Sequence, residues 1–339
     1  MRGQSSVRQL LVLVGVVLLS ACGHQGPTPN HPPNPLVGKI FRGASGEEVS
    51  EADLLAEMAR AQVVYLGERH DSPYHHDGQV RVLRGLTAAG KSPGLGLEVF
   101  PVHQTSILMN YVKLPEHSGL SESGFDADAW LREKLGWADQ DPRWDSYGEL
   151  LGMAREQQLP AFGIDLPRSL RHRISQGGSA KLLPAEAQQL RPSGLDNDNY
   201  RQLMYEQFKR SHCGYGSEEY LGRLYDNWVA RNDVMAATIE TMLEDEENWP
   251  VVVIVGHGHT RYQMGVYERL ATARPGVRQL NLAFRSVYEG RETKDYFSRR
   301  EFQGVDYSPT YEYIWFTDER TPSSDQCEQF LSRKSSQAP

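Results

Sequence analysis

The chain has 339 residues, of which 39% are hydrophobic and 24% are charged, with a formal net charge of −8. That length is enough for a sizeable core in one large domain or two smaller ones. Because acidic residues outnumber basic ones, 44 to 36, and lysine and arginine form no stripe, nucleic acid is not an expected partner.

The first 21 residues are expected to be a signal peptide. Arg2 and Arg8 precede the apolar run LLVLVGVVLL (10–19), which is too short to span a bilayer as a mature helix. The residues LSAC (19–22) that close it resemble a lipobox. We therefore expect cleavage before Cys22 and lipid on its thiol, with attachment to the outer membrane on its periplasmic side. An ordinary signal peptide or a single anchor helix is the alternative.

The segment that follows the signal is rich in proline and polar residues. Residues 22–36 suit an extended tether between the lipid and a folded domain. The other cysteines are Cys213 and Cys327, and an oxidising periplasm would permit a disulfide between them. Two lone cysteines carry no geometric information, so their pairing stays open at this point.

Apolar, β-branched runs alternate with helical patterns along the rest of the chain. Strands are predicted at 62–68, 94–100, 159–165, 251–259, 277–284 and 311–317. Helices are predicted at 75–91, 101–112, 126–136, 143–157, 218–246 and 264–273. This alternation predicts an α/β domain over residues 37–320, with a mostly parallel sheet covered by helices on both faces. Long helical insertions after the second and third strands should form a lobe over the carboxyl ends of the strands, and residues 321–339 form a polar tail.

Acidic and imidazole side chains follow the predicted strands. In open parallel sheets, ligands bind beyond the carboxyl ends of the strands. The candidates at that edge, in chain order, are Glu68, His70, Glu98, Asp165, His257 and His259. The segments GERH (67–70) and GHGH (256–259) share the pattern G-x-x-H, which chance alone also produces, so their position after buried strands carries the information. We expect Glu68, His70, Glu98 and His259 to form one site.

The alternative is that these charged groups cluster only because loops are exposed to solvent. Glu98 lies between apolar residues, so its carboxylate is expected either to be buried with a partner or to be exposed at the end of the strand. His75 and His76 begin a helix, and we expect them to be solvent-exposed unless they join the site. Asp71 or Ser72 is the expected N-cap of that helix.

Several segments, in this order and spacing, resemble the ChaN-type haem-binding lipoproteins, which group with the TIKI, TraB and erythromycin-esterase-like proteins. The resemblance covers most of residues 37–290 and includes the lipobox. Its segments are LGERHDSPYHH (66–76), LEVF (97–100), WDSYGELLGMAR (144–155), FGIDLPRSL (162–170), NDVMAATI (232–239) and VVVIVGHGHTRYQMGVYERL (251–270). Two departures are His257, where the family usually has a small or polar residue, and Asp165, where it commonly has asparagine.

The resemblance implies a lipid-anchored protein that handles haem iron, with a homodimer that holds two haems face to face. It implies an iron held through a tyrosine, with histidine involved, and Tyr147 is our choice, together with His70 and Arg69. Trp144, Tyr147 and Leu151 share one helix face, so Tyr147 could equally be a core residue with a satisfied hydroxyl. The other candidate tyrosines are Tyr74, Tyr111 and Tyr262, and Arg168 and Arg171 could also pair with haem propionates.

Three functions are open on the sequence. The first is a haem-binding lipoprotein for iron uptake beside an outer-membrane haem receptor, which favours a binding protein over an enzyme. The second is a periplasmic hydrolase in which Glu68 or Glu98 is the general base and His70 or His259 orients it. A divalent metal on His70, His259 and Glu98 is a variant of this function. The chain has no G-x-S-x-G motif, so hydrolysis would use activated water. The third is a membrane-anchored scaffold without catalytic activity, which would leave the acidic and imidazole groups at the strand ends unexplained.

Overall fold

A computed structural model of the chain describes residues 34–114, 125–195, 197–214, 216–288, 291, 293–297 and 300–318. The expected signal peptide, the lipidation site Cys22 and most of the tether lie outside the described residues, as do Cys327 and the polar tail. Cys213 is disulfide-bonded. No helix within the described ranges is long and apolar enough to cross a membrane.

The centre of the fold is an eight-stranded sheet with the strand order β2-β1-β10-β7-β3-β6-β4-β5. Its strands are β1 Ile40–Arg42, β2 Glu48–Val49, β3 Val63–Glu68, β4 Leu95–Pro101, β5 Ala161–Asp165, β6 Val251–Gly256, β7 Gln279–Ser286 and β10 Tyr313–Thr317. A separate hairpin consists of β8 Glu301–Phe302 and β9 Val305–Asp306. The six strands from β10 to β5 are parallel, and β1 and β2 add an antiparallel edge.

The described helices flank this sheet and fill the connections between its strands. They are α1 Glu51–Met58, α2 Pro73–Ala88, α3 Thr105–Val112, α4 Ala127–Leu135, α5 Pro142–Glu156, α6 Arg168–Gly177, α7 Pro184–Ala187, α8 Asp198–Ser211, α9 Glu218–Met242, α10 Val266–Ala273 and α11 Thr293–Tyr296. The predicted α/β class with a mostly parallel sheet is therefore confirmed. All six predicted strands are present, although the fourth ends at Gly256 because His257–His259 form a 3-10 turn.

Both faces of the sheet are covered, as the continuous apolar strands require. Val64 and Leu66 of β3 pack in the core with α1, α2, α3, α4 and α5. Val63 and Tyr65, which point the other way because strand side chains alternate, pack with α9 and α10. Burial on both faces explains why the central strands show no alternation of apolar and polar residues.

Local signals set where the helices that carry the site begin. Ser217 accepts a hydrogen bond from the Tyr220 backbone N–H at 3.2 Å, which starts α9. Ser72 is the N-cap residue of α2, one of the two expected candidates, but its side chain makes no capping hydrogen bond. Pro73 occupies the first turn instead, where its fixed φ suits a helix and its missing N–H costs nothing.

Candidate functional site

The carboxyl ends of four neighbouring strands meet at one edge of the sheet. Glu68, the last residue of β3, lies beside Gly256, the last residue of β6. Glu98 of β4 and Asp165 of β5 reach the same edge, and the carboxylates of all three acidic residues are buried. The predicted convergence of these groups is present, and Glu98 is buried with partners rather than exposed.

The carboxylate of Glu68 is surrounded by donors. Its Oε1 accepts hydrogen bonds from the Tyr147 hydroxyl at 2.5 Å and from His70 Nδ1 at 2.7 Å. Its Oε2 accepts from Gln79 Nε2 at 2.6 Å and lies 3.2 Å from His76 Nε2. Burial raises the pKa of the Glu68 carboxyl, but the bonds with His70 and His76 outweigh it and lower the pKa to about 2. Glu68 is therefore ionised throughout the physiological range.

Glu98 is the second buried carboxylate. Its Oε2 accepts the Gly256 backbone N–H at 2.5 Å, and its Oε1 accepts a hydrogen bond from Arg231 Nη2. His259 Nε2 lies 3.3 Å from the same Oε1. Burial raises the pKa of the Glu98 carboxyl, and the contacts with His259 and Arg231 outweigh it, so the pKa lies well below its usual range. The pairing of β4 with β5 shifts its register between Leu97 and Pro101, the stretch that contains Glu98.

His70 joins the two carboxylates. Its Nδ1 bonds Glu68, and its Nε2 lies 3.6 Å from Glu98 Oε1. Burial lowers the pKa of the His70 imidazole, but the hydrogen bonds with Glu68 and Glu98 overcome it and raise the pKa to about 11. The His70 side chain is nevertheless 53% exposed, so solvent screens part of this attraction. The site therefore presents a protonated imidazole to solvent between two buried carboxylates.

Arg231 of α9 ties Glu98 to Asp165. Its Nε and Nη2 each donate to one oxygen of the Asp165 carboxylate at 2.9 Å, and Nη2 also donates to Glu98. Arg171 of α6 adds a bond from Nη1 to Asp165 Oδ2 at 2.8 Å. Arg231 was not predicted as a site residue, although the run RND (231–233) between apolar residues of a helix indicates a buried polar group.

Asn232 and Trp228 hold the His259 ring in place. The Asn232 Nδ2–H donates a hydrogen bond to the Trp228 carbonyl at 2.7 Å. The Asn232 Oδ1 therefore faces His259 and accepts a hydrogen bond from its Nδ1–H at 2.9 Å. The His259 ring stacks on the Trp228 indole at 4.0 Å between centroids. Burial lowers the pKa of His259 despite the charge of Glu98. Arg231 therefore supplies the permanent counter-charge of Glu98, while burial opposes the charge of His259.

The histidines of YHH (74–76) and GHGH are inside the fold. His75 and His76 are only 2% and 6% exposed, so the expectation that they face solvent was wrong. His75 Nδ1 accepts the Arg69 backbone N–H at 2.9 Å, and burial lowers the pKa of His75 to about 3. His257 donates its Nδ1–H to the Glu68 carbonyl at 2.7 Å, and burial likewise lowers its pKa to about 3. These rings anchor the ends of α2 and β3 as neutral groups.

The structure does not support the expected divalent metal site. His70, His259 and Glu98 do come together, but the Arg231 guanidinium binds the Glu98 oxygen that faces both rings. A fixed positive charge on that oxygen opposes a second cation there. Among the described residues, no group of three or more His, Cys, Asp or Glu side chains is spaced to hold a metal ion.

The candidate tyrosines fall into two groups. Tyr147 is 2% exposed with its hydroxyl on Glu68, and burial followed by the Glu68 charge raises its pKa. Tyr111 is also buried, and its hydroxyl donates to Asp128 at 2.7 Å. Tyr74 and Tyr262 are half-buried. Tyr147 is thus at the centre of the predicted cluster as a satisfied core residue, and its role as a haem ligand stays a prediction.

Fold and site together define an α/β protein with an acid–imidazole cluster at the carboxyl ends of four parallel strands. Residues 54–270 match the family described as haem-binding uptake, Tiki superfamily, ChaN, and the chain belongs to this family.

Among solved structures, the chain is similar to ChaN of Campylobacter jejuni, described with cofacial haem binding. The identity is 17%, the match covers 81% of this chain and 95% of that chain, and the TM-score is 0.58. It also matches an erythromycin esterase in an open conformation, at 14% identity over 73% of this chain and 77% of that chain, with a TM-score of 0.42. No curated protein matches the sequence significantly. The likeness to ChaN supports the fold described above.

Proposed function

We propose that this protein binds haem at the carboxyl edge of its parallel sheet and takes part in haem or iron uptake. The observation that carries the proposal is the family match over residues 54–270, which contains every member of the cluster from Glu68 to His259. The likeness in fold to Campylobacter ChaN, whose structure is described with cofacial haem, supports it.

The rim of the site fits the polar part of haem. The half-exposed imidazolium of His70 is the cation at the centre, with Arg69 and Arg171 as partly exposed guanidinium groups. Guanidinium groups form strong paired hydrogen bonds with carboxylates such as the haem propionates. Arg69 already pairs with Asp71, and Arg171 with Asp165, so each would share its charge with a propionate.

The iron ligand in this proposal is a tyrosine. A tyrosinate supplies a hard anionic oxygen that suits ferric haem. If Tyr147 is the ligand, its hydroxyl must leave Glu68, which accepts its hydrogen bond at 2.5 Å, and must release its proton. Tyr74, on the first turn of α2, is the alternative, and its side chain is half-buried.

We further propose that lipid on Cys22 holds the protein at the outer membrane, facing the periplasm, where it passes haem to or from a receptor as a homodimer. The sequence LSAC (19–22) supports the anchor. Metabolic labelling with palmitate tests it: wild type should incorporate label and Cys22→Ser should not. Equal labelling of the two proteins would contradict lipid attachment at this cysteine.

Titration with ferric haem tests the binding function. The chain without its signal and with Cys22→Ser should give a saturable shift of the Soret band. Tyr147→Phe should alter the position of the bound band if Tyr147 is the ligand, Tyr74→Phe should alter it if Tyr74 is, and Tyr111→Phe is the matched control. An absence of any saturable shift in the unsubstituted chain would refute haem binding.

A second candidate function, hydrolysis, is favoured by one observation: the cluster holds a solvent-facing imidazolium between two carboxylates. With both carboxylates ionised and occupied by donors, His70 would serve as a general acid toward a leaving group rather than as a base. Turnover of an aryl ester by wild type, lost in His70→Gln, would support this role. Equal rates in the two proteins would eliminate it.

A further inference from the structure

A cavity of about 490 Å³ lies beside helices α8 and α9. None of the cluster residues Glu68, His70, Glu98 and Asp165 lines it. Apolar side chains from two parts of the chain form much of its wall, namely Leu190, Leu195 and Val229. A cavity of this size accommodates a small organic molecule, and such sites combine apolar walls with a few polar groups.

The polar group of interest is the carboxylate of Asp226. Its side chain is half-buried on α9, and among the described residues its Oδ2 accepts one long hydrogen bond of 3.4 Å, from the Ser179 backbone N–H. Throughout the described part of the chain, no lysine, arginine or histidine forms an ion pair with Asp226. A partly desolvated carboxylate without a counter-charge is costly, and a cationic ligand would offset that cost.

Two aromatic rings line the same cavity as this carboxylate. Tyr205 and Tyr225 meet edge to face, 6.0 Å between centroids, and both line the cavity. The faces of such rings attract cations, as the guanidinium of Arg201 over Tyr225 at 5.6 Å already illustrates. Arg201, which also lines the cavity, pairs with Asp198 at 3.1 Å, and among the described residues it forms no ion pair with Asp226.

One wall of the cavity is a strained segment that the fold holds in place. Within residues 190–195, Arg191 has φ 47°, a left-handed conformation that is unfavourable for a non-glycine residue. Ser193 fastens the segment, because its hydroxyl donates to Asp233 Oδ1 at 2.7 Å, and Asp233 pairs with the buried Arg269 at 2.5 Å. Backbone strain that a buried ion pair maintains is a recurrent feature of ligand sites.

We propose that this cavity binds a small organic ammonium compound, with the ammonium group on the Asp226 carboxylate and the apolar body against Leu190, Leu195 and Val229. This cavity is separate from the proposed haem site, and the proposal does not depend on haem binding. The negative charge selects a cation, the aromatic rings select an ammonium over a hydrated metal ion, and the apolar wall selects a hydrocarbon body.

Calorimetric titration of the whole chain with phenethylammonium chloride tests the proposal, with 2-phenylethanol as the uncharged probe of the same shape. Wild type should bind the ammonium at least about tenfold more tightly than the alcohol, as a partly buried ion pair implies. Asp226→Asn keeps the acceptor for the Ser179 N–H and should reduce ammonium affinity to that of the alcohol. Glu244→Gln, which removes an exposed carboxylate that does not line the cavity, should leave the ratio unchanged.

Three outcomes would overturn the proposal. One is an absence of saturable binding of the ammonium probe at millimolar concentration, and another is equal affinity for ammonium and alcohol in wild type. The third is an equal loss of affinity in Asp226→Asn and Glu244→Gln. Thermal melting of each variant establishes that it is folded. If Asp226→Asn does not fold, Tyr205→Leu replaces it and should weaken ammonium binding more than alcohol binding, the reverse result again overturning the proposal.

Discussion

Replacing Arg231 by Met tests the electrostatic organisation of the carboxyl edge. Arg231 is 17% exposed, and its partners Glu98 and Asp165 are 4% and 1% exposed at the side chain. Removing one partner of a buried ion pair costs about 3–5 kcal/mol, because the remaining charge stays desolvated. Asp165 keeps Arg171 at 2.8 Å, and Glu98 keeps the Gly256 N–H at 2.5 Å. We therefore expect the lower end, about 3 kcal/mol of lost unfolding free energy.

The stability lost in Arg231→Met should depend on pH and should be larger at neutral pH than at acidic pH. The pKa of Glu98 is depressed in the folded chain, so its ionised form contributes stability that is fully present above the unfolded pKa of about 4.3 and is lost as the pH falls through the folded pKa. Without Arg231, the folded pKa rises. The difference between Arg231→Met and wild type should then be largest near neutral pH and should shrink below about pH 4.

Urea denaturation followed by circular dichroism at pH 7 and pH 3 measures both effects. Arg84→Met is the matched control, because Arg84 pairs with Glu149 at 2.8 Å but both side chains are exposed. Such surface pairs contribute about 0–1 kcal/mol. A stabilising buried ion pair at Arg231 is contradicted if Arg231→Met loses no more unfolding free energy than Arg84→Met at pH 7, or if its loss is the same at both pH values.

Three further predictions concern single side chains. In an NMR titration, His70 should remain protonated at pH 8, since the two carboxylates raise its pKa to about 11, and a midpoint near 6.5 would contradict this. Tyr147→Phe, measured by urea denaturation, should cost about 1.5–3 kcal/mol for the lost hydrogen bond to a charged group, and a neutral effect would contradict it. Gly78→Ala should lower the melting temperature, because its new Cβ would lie 2.3 Å from the Phe284 ring. Gly152→Ala should raise the melting temperature, because its new Cβ meets no atom and alanine favours a helix. The reverse order of the two melting temperatures would contradict the packing.

The fold class was predictable because β-branched runs such as VVVIV leave little ambiguity between strand and helix. The positions of Glu68, Glu98 and His259 at one edge followed from the rule that parallel strands point the same way. The short edge strands β1 and β2 were not predicted, since two or three residues carry no periodic signal.

What could not be predicted was which polar residues turn inward. His75, His76 and Gln79 lie on the buried face of α2, where polar residues are usually assigned to solvent. Gln79 and His76 face Glu68, which arrives from a different element and supplies the acceptor, whereas His75 accepts the Arg69 backbone N–H. Arg231 is a similar case, because its partners Glu98 and Asp165 are more than sixty residues away in the chain.

The most direct test of the central claim is the location of bound haem. The ring signals of His70 can be followed by NMR during titration with ferric haem, with gallium protoporphyrin as the diamagnetic control. If haem binds at the carboxyl edge, ferric haem should broaden the His70 signals beyond detection, while gallium protoporphyrin should shift them and leave them visible. Unchanged His70 signals at saturating ferric haem would contradict binding at this edge.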